Sequence, residues 1–212
     1  MSLEADVPRP LRIAVLASGS GTTLQAVIDA CEQGALAVEI VLVISNNSDS
    51  GAMTRAVRHG IPTAHLSSRT HTGADALDRA IADCLEQHAP DLVLLAGYMK
   101  QLGAHTLGAY RGRIVNTHPA LLPRHGGPGM YGSHVHAAVI AAGDRVSGIS
   151  VHLVDSDYDT GAMLAQHEVE VVPGDDVASL AARVQAAEKP FLVAVLGQIA
   201  RGEIALPERQ RL

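Results

Sequence analysis

Asn116, Thr117 and His118 close the run that begins at Arg113, just before a stretch rich in Pro, Gly and His. In an extended chain residues i and i+2 point to the same side, so the Asn116 amide and the His118 imidazole are expected to face one cleft. An amide N–H holds a carbonyl oxygen as it turns into an oxyanion, and histidine exchanges a proton near neutral pH. Together they suit acyl-type transfer. The chain has eleven histidines, so the pair gains weight only from a third group. Asp155-Ser-Asp-Tyr-Asp-Thr-Gly161 carries three carboxylates. Asp155 and Asp157 read as a solvated turn, whereas Asp159, if the fold brings it against His118, would orient the imidazole and assist proton movement. Metal binding by these aspartates with His134, His136 or His152 is a competing use, but a His-x-His spacing with scattered Asp is weak evidence for a ligand set.

A second constellation stands near the start. Ala17-Ser-Gly-Ser-Gly-Thr-Thr-Leu24 joins an apolar run to a helical pattern, the place where a parallel sheet offers backbone N–H groups and a positive helix end to a phosphate. A tight strand-to-helix turn with an N-cap would also explain Gly19, Gly21 and Thr22, and the two readings stay open at this point. Dinucleotide binding is disfavoured: Leu24 occupies the place of the third small residue, and Ser45-Asn46-Asn47 stands where an acidic residue would close the second strand. No Gly-Lys-Ser/Thr follows at P-loop spacing.

The elements that must position these groups read as strand and helix in alternation: strand 11–17, helix 22–33, strand 38–45, helix 51–59, strand 62–66, helix 74–88, strands 91–95 and 113–117, and helix 134–142. Runs 146–154 and 163–172 flank the acidic turn and suggest an antiparallel pair, and 176–200 reads as a closing helix bent at Pro190. The expected fold is therefore α/β, an open, mostly parallel twisted sheet with helices on both faces and an antiparallel pair near the C-terminal end. Residues 1–10, with Pro8 and Pro10, are expected to form a flexible arm, and residues 11–212 one domain. A net charge of −6, one Phe and no Trp offer neither a basic stripe nor a stacking surface for nucleic acid. Two cysteines, Cys31 and Cys84, both in helical patterns, point to a reducing compartment without disulfides or thiolate metal sites. With no apolar stretch of spanning length, a cytoplasmic protein free of membrane is expected.

Taken together, these residues resemble the glycinamide ribonucleotide formyltransferases of the folate-dependent formyltransferase superfamily, from about Arg12 to Arg201. The resemblance rests on Ser18-Gly-Ser-Gly-Thr-Thr-Leu-Gln25, Ser45-Asn46-Asn47, Ala89-Pro-Asp-Leu-Val-Leu-Leu-Ala-Gly-Tyr-Met99 and Ile114-Val-Asn-Thr-His-Pro-Ala-Leu-Leu-Pro123. It continues in Gly148-Ile-Ser-Val-His152, Asp159-Thr-Gly161 and Arg183-Val-Gln-Ala-Ala-Glu188. The resemblance implies a Rossmann-like formyltransferase fold with Asn116, His118 and Asp159 as the catalytic trio. It implies Gly21, Thr22 and Thr23 as the phosphate turn, Glu188 as the group that positions the glycinamide arm, and Met99, Lys100, Gln101 and Leu102 at the folate. The implied reaction passes the formyl group of 10-formyltetrahydrofolate, a co-substrate, directly to the amine of glycinamide ribonucleotide in purine synthesis, with no metal. Thr22-Thr23 stands where many members have Ser-Asn, Lys100 where Arg is frequent, and Ala74 where an Arg can meet the folate tail. Arg124 to Gly132 resembles a variant with an extended Gly-Met-Tyr-Gly loop, from which an altered cleft wall is expected. A formyl-folate hydrolase would share the trio but carry an N-terminal regulatory domain. A methionyl-tRNA formyltransferase would add a C-terminal domain and basic surface. A catalytically silent nucleotide-binding module would not need the trio. The oligomeric state, monomer or homodimer, is left open.

Overall fold

The computed structural model describes residues 9–208. Strand β1 (Leu11–Leu16) is buried on both faces from Ile13 onward, as its uninterrupted apolar run requires of a central parallel strand. Helix α1 (Thr22–Glu32), strand β2 (Val38–Ser45), helix α2 (Gly51–Arg58), strand β3 (Thr63–His65), helix α3 (Ala74–His88) and strand β4 (Leu92–Leu95) follow. Then come helix α4 (Ala104–Ala109), strand β5 (Ile114–His118), helix α5 (Ser133–Ala142), strands β6 (Val146–Leu153) and β7 (Met163–Glu170), and helix α6 (Val177–Ala200). Among the described residues the sheet runs β3-β2-β1-β4-β5-β6-β7. Its first five strands are parallel, while β6 is antiparallel to both β5 and β7. The expected antiparallel pair is present and extends by one partner, since β6 also pairs antiparallel with the strand bearing Asn116 and His118.

Among the described residues three apolar clusters cover the sheet, one of them (Val139, Ile149, Val169, Leu180 and Val184) where α5 and α6 meet β6 and β7, and two larger ones on opposite faces. Ile13, Val15, Leu94 and Val115 face α1, α2 and α6 through Leu24, Val27, Ala52, Leu192 and Leu196. Alternate residues Ala14, Leu16, Val93, Leu95 and Ile114 face α3 through Ile81 and Leu85 and the α4 region through Leu102 and Tyr110. Helix α6 opens on a capping box between Asp176 and Ser179 and continues through Pro190, whose ring removes one backbone donor from the helix. Arg183 grips the Asp175 carboxylate with both terminal nitrogens at 2.6 and 2.8 Å and bonds the Glu170 carbonyl, tying the end of β7 to the start of α6.

The sequence pattern predicts no element between Leu95 and Arg113, yet α4 forms there. Its six residues lie below the length at which periodicity is readable. It exists because Asp78, buried on α3, accepts Gly103 N–H at 2.9 Å, His105 N–H at 2.7 Å and Thr106 Oγ1–H at 2.6 Å. That carboxylate caps the start of α4 from another helix, in place of the local side-chain cap that usually marks a helix start. Of the expected arm, residues 1–8 lie outside the described residues. Arg9 is already tied to the fold by two bonds to Asp91, at 2.9 and 3.0 Å. Among the described residues no helix is long and apolar enough to cross a membrane.

Candidate active site

Both constellations lie at the carboxyl ends of parallel strands, where open α/β sheets bind ligands. Asn116 and His118 share the β5 face of Ile114, toward α3 and α4, as their spacing implies. Register places His152 of β6 directly opposite Asn116 and Ser150 opposite His118. His152 gives its Nδ1–H to the Leu153 carbonyl at 2.8 Å, which leaves Nε2 to accept an N–H of Asn116 at 3.1 Å. One amide hydrogen of Asn116 is therefore committed to His152, and the other is free for the cleft.

Asp159 adopts φ +59, a left-handed conformation that Asp tolerates better than most residues. There its carboxylate sits between two imidazoles, with Oδ2 3.5 Å from His118 Nδ1 and Oδ1 3.5 Å from His152 Nε2. The contact with His118 that the sequence left conditional is present. Asp155 and Asp157 are exposed, and Asp155 accepts Thr160 Oγ1–H and the Asp157 N–H within the turn. Burial pushes the Asp159 carboxyl up, but His152, the Gly127 N–H and His118 outweigh it and hold the group below the usual carboxylate range. His118 is lowered as well, for the opposite reason. Burial lowers its pKa, and Asp159 and the His125 carbonyl only partly restore it. Above the ordinary histidine range the pair is an ionised carboxylate facing an unprotonated Nδ1, because His118 spends its Nε2–H on the His125 carbonyl at 2.8 Å.

Asn116, His152 and Asp159 line a cavity of about 90 Å³, while His118, 3% exposed, stands behind Asp159. Lys100, Gln101 and Leu102 wall this cavity and also a neighbouring groove of about 1210 Å³ that runs past Leu77, Ile81 and Ala74. Gln101 bonds the Ser156 carbonyl across the opening at 3.3 Å. Met99 lies outside the linings of both, half exposed, with its N–H given to Ser18 Oγ at 2.8 Å. Ser18 in turn donates to Asn46 Oδ1, so the Ser-Asn-Asn block after β2 holds the glycine turn and the segment after β4 together.

Gly21 is the N-cap of α1 at φ +70 and supplies no side-chain cap, so the first backbone N–H groups of the helix are left for a ligand. A β-carbon on Gly21 would lie 2.6 Å from Ala52 Cα. Arg55 of α2 braces the turn by donating to the Ser20 carbonyl at 3.0 Å and to Gln25 Oε1 at 2.9 Å. Glu188 lies on the opposite side of β5 from Asn116: it accepts Thr117 Oγ1–H at 2.8 Å, and burial pushes its carboxyl up. The phosphate-type turn and Glu188 occupy the α1/α6 side and the two cavities the α3/α4 side, with β5 between them. Among the described residues no three His, Cys, Asp or Glu side chains form a metal-holding group; His134 bonds the Gly129 carbonyl instead.

The sequence profile of the formyl transferase family matches residues 11–196. The chain is 38% identical to the chloroplastic phosphoribosylglycinamide formyltransferase of Arabidopsis thaliana, over 93% of this chain and 68% of that one. It is 36% identical to the Escherichia coli phosphoribosylglycinamide formyltransferase, over 93% and 91%. The solved phosphoribosylglycinamide formyltransferase of Coxiella burnetii superposes with a TM-score of 0.86 at 36% identity, over 94% of this chain and 91% of that one. The chain belongs to the phosphoribosylglycinamide formyltransferases. It also matches trifunctional purine biosynthetic proteins, spanning 20% of the length of the one from Bos taurus.

In this formyltransferase the sequence offers His152 as a metal candidate and as the end of a block shared with the family, but not as a partner of Asn116 and Asp159. The available signal was alternation: in Gly148-Ile-Ser-Val-His152 every second residue is polar or glycine in an otherwise apolar, buried strand. Gly148, Ser150 and His152 face the loop after β5 and the cluster around Asp159. Ser150 bonds the Ala120 carbonyl at 2.7 Å and accepts Leu122 N–H at 3.0 Å, and a β-carbon on Gly148 would run into Leu121.

Proposed function

We propose that the chain transfers the formyl group of 10-formyltetrahydrofolate to the amine of glycinamide ribonucleotide, and that Asn116, His118 and Asp159 carry the chemistry. The observation that supports this reading most is the meeting of these three groups at the carboxyl end of β5, between a cavity on one face and an uncapped helix N-terminus on the other. The names of relatives more than a third identical agree with it.

The formyl-bearing end of the folate enters the small cavity, and its tail lies in the groove past Lys100, Gln101 and Leu102. Gly21, Thr22 and Thr23 take the ribonucleotide phosphate on their N–H groups, and Glu188 positions the glycinamide arm. The amine attacks the formyl carbon, and the free Asn116 N–H meets the developing oxyanion. The proton shed by the attacking nitrogen passes into the gap between Asp159 Oδ2 and His118 Nδ1, two acceptors 3.5 Å apart that share it more favourably than either holds it alone. The resulting imidazolium supports the oxyanion. Collapse then breaks the bond from carbon to folate nitrogen, and that nitrogen recovers the proton.

The deciding experiment follows tetrahydrofolate release by the purified protein with and without glycinamide ribonucleotide. Release is expected only with the ribonucleotide, and equal rates in both would replace transfer by hydrolysis. His118→Ala and Asp159→Ala are expected to lower turnover about 10²–10⁴-fold without loss of fold.

A further inference from the structure

His125 connects two parts of the molecule through different atoms. Its backbone carbonyl accepts His118 Nε2–H at 2.8 Å, while its imidazole Nε2 donates to Asp144 Oδ2 at 2.7 Å. Arg124, one residue earlier, closes on the other oxygen of the same carboxylate. Asp144 directly follows Gly143, the C-cap of α5, so this carboxylate is fixed to the end of a helix. His125 stands at φ +53, a conformation that a residue with a β-carbon keeps only when its surroundings impose it. Two consecutive side chains held by one carboxylate impose it here. The same short segment continues to Gly127, whose N–H donates to Asp159 Oδ2 at 2.9 Å. It therefore supplies an acceptor to His118 and a donor to Asp159, although Asp144 and His125 are absent from the linings of both cavities.

We propose that Asp144 is a positioning residue for formyl transfer: by clamping Arg124 and His125 it aims the His125 carbonyl at His118 Nε2 and commits the imidazole to the tautomer whose Nδ1 faces Asp159. This rests on the reading that His118 takes part in the transfer. Without the clamp, the Nε2–H loses its acceptor in a buried position, and the ring gains freedom to turn or to move its proton to Nδ1. An Nδ1–H facing Asp159 would fill the gap meant for the proton of the attacking amine. The charged or titratable groups that act on His118 are Asp159, His152 and the His125 imidazole itself, and His118 acts in turn on His136 of α5.

The test uses the full chain with ¹⁵N-labelled histidine. In the unsubstituted protein the His118 Nε2–H is expected as a slowly exchanging ring resonance, assigned by its disappearance in His118→Asn. In Asp144→Ala that resonance should broaden or vanish and kcat should fall on the order of 10-fold, with KM for both substrates within about twofold. The acid limb of kcat/KM should move to lower pH, because the carbonyl that favours a protonated ring is no longer held in place. An Asp144→Ala protein that keeps the resonance, kcat and acid limb overturns the proposal. So does a rise in KM at unchanged kcat, which would assign the clamp to substrate binding. If Asp144→Ala does not fold, His125→Asn gives the same readouts, and each outcome counts for or against the proposal in the same way, since Asn tolerates the left-handed backbone but lacks the imidazole. Failure of the parent reading is separately visible: His118→Asn would then retain full turnover, whatever the resonance does in the Asp144 variant.

Discussion

At the level of single residues, the lowered pKa values of both His118 and Asp159 define the state of the site. Burial depresses the histidine and its neighbours depress the carboxyl, so acidification first protonates His118 and fills the gap that the proposed transfer leaves for the amine's proton. The expected kcat/KM falls on the acid side, with an apparent pKa below the ordinary histidine value of about 6.5. In Asp159→Asn the negative charge that raises the His118 pKa is gone, so the acid limb should move lower still while the plateau drops about 10²–10⁴-fold; pH–rate profiles of both proteins check this. An acid limb that moved upward would reverse the assigned roles. Asn116→Ala is expected to lower kcat about 10²–10³-fold with little change in either KM. Asn116 and His118 were readable because i and i+2 spacing in a strand is a local fact. Asp159 was readable only as a condition, since its contact spans a hairpin, and His152 escaped because its partner is set by the β5–β6 register.

At the level of elements, the glycine turn shows how a local motif depends on its neighbour. Gly21 needs φ +70, and α2 leaves no room for a side chain there, with Ala52 Cα 2.6 Å from where a β-carbon would stand. Gly21→Ala is expected to destabilise the fold by about 1–3 kcal/mol and to raise KM for the ribonucleotide at least tenfold, leaving KM for the folate near its starting value. Steady-state kinetics with each substrate varied in turn decide it; a shift in the folate KM alone would separate the turn from the phosphate. Strand and helix positions were legible to within about two residues wherever a continuous apolar run or a 3.6-residue pattern existed. Helix α4 was not, because Asp78 specifies it from 25 residues away along the chain. The alternation of Gly148, Ser150 and His152 was equally present in the sequence, but its meaning required knowing which loop that face would meet.

For the whole molecule, the sheet separates the two halves of the proposed reaction. The elements proposed to hold the acceptor share a core with α1, α2 and α6, the cavities proposed for the donor are built on α3 and α4, and β5 presents side chains to both, through Thr117 on one face and Asn116 on the other. Damage to one side should therefore leave ligand binding on the other intact. Asp78→Ala removes the remote cap of α4 and leaves Gly103 N–H and His105 N–H without their acceptor, an expected loss of about 2–3 kcal/mol. Its effect on substrates should fall on the folate, because Gly103, Ala104 and Leu107 line the groove proposed for the folate. Binding linkage offers a readout free of turnover. A ligand at about 100 times its Kd adds about 2.7 kcal/mol to stability. Glycinamide ribonucleotide should give that increment in the unsubstituted protein and in Asp78→Ala, and lose about half of it or more in Gly21→Ala at the same concentration. A tetrahydrofolate analogue should show the reverse pattern. Thermal unfolding of the three proteins with each ligand measures all six increments, and an Asp78→Ala protein that lost both increments equally would show that the two faces are energetically one site rather than two halves joined at β5.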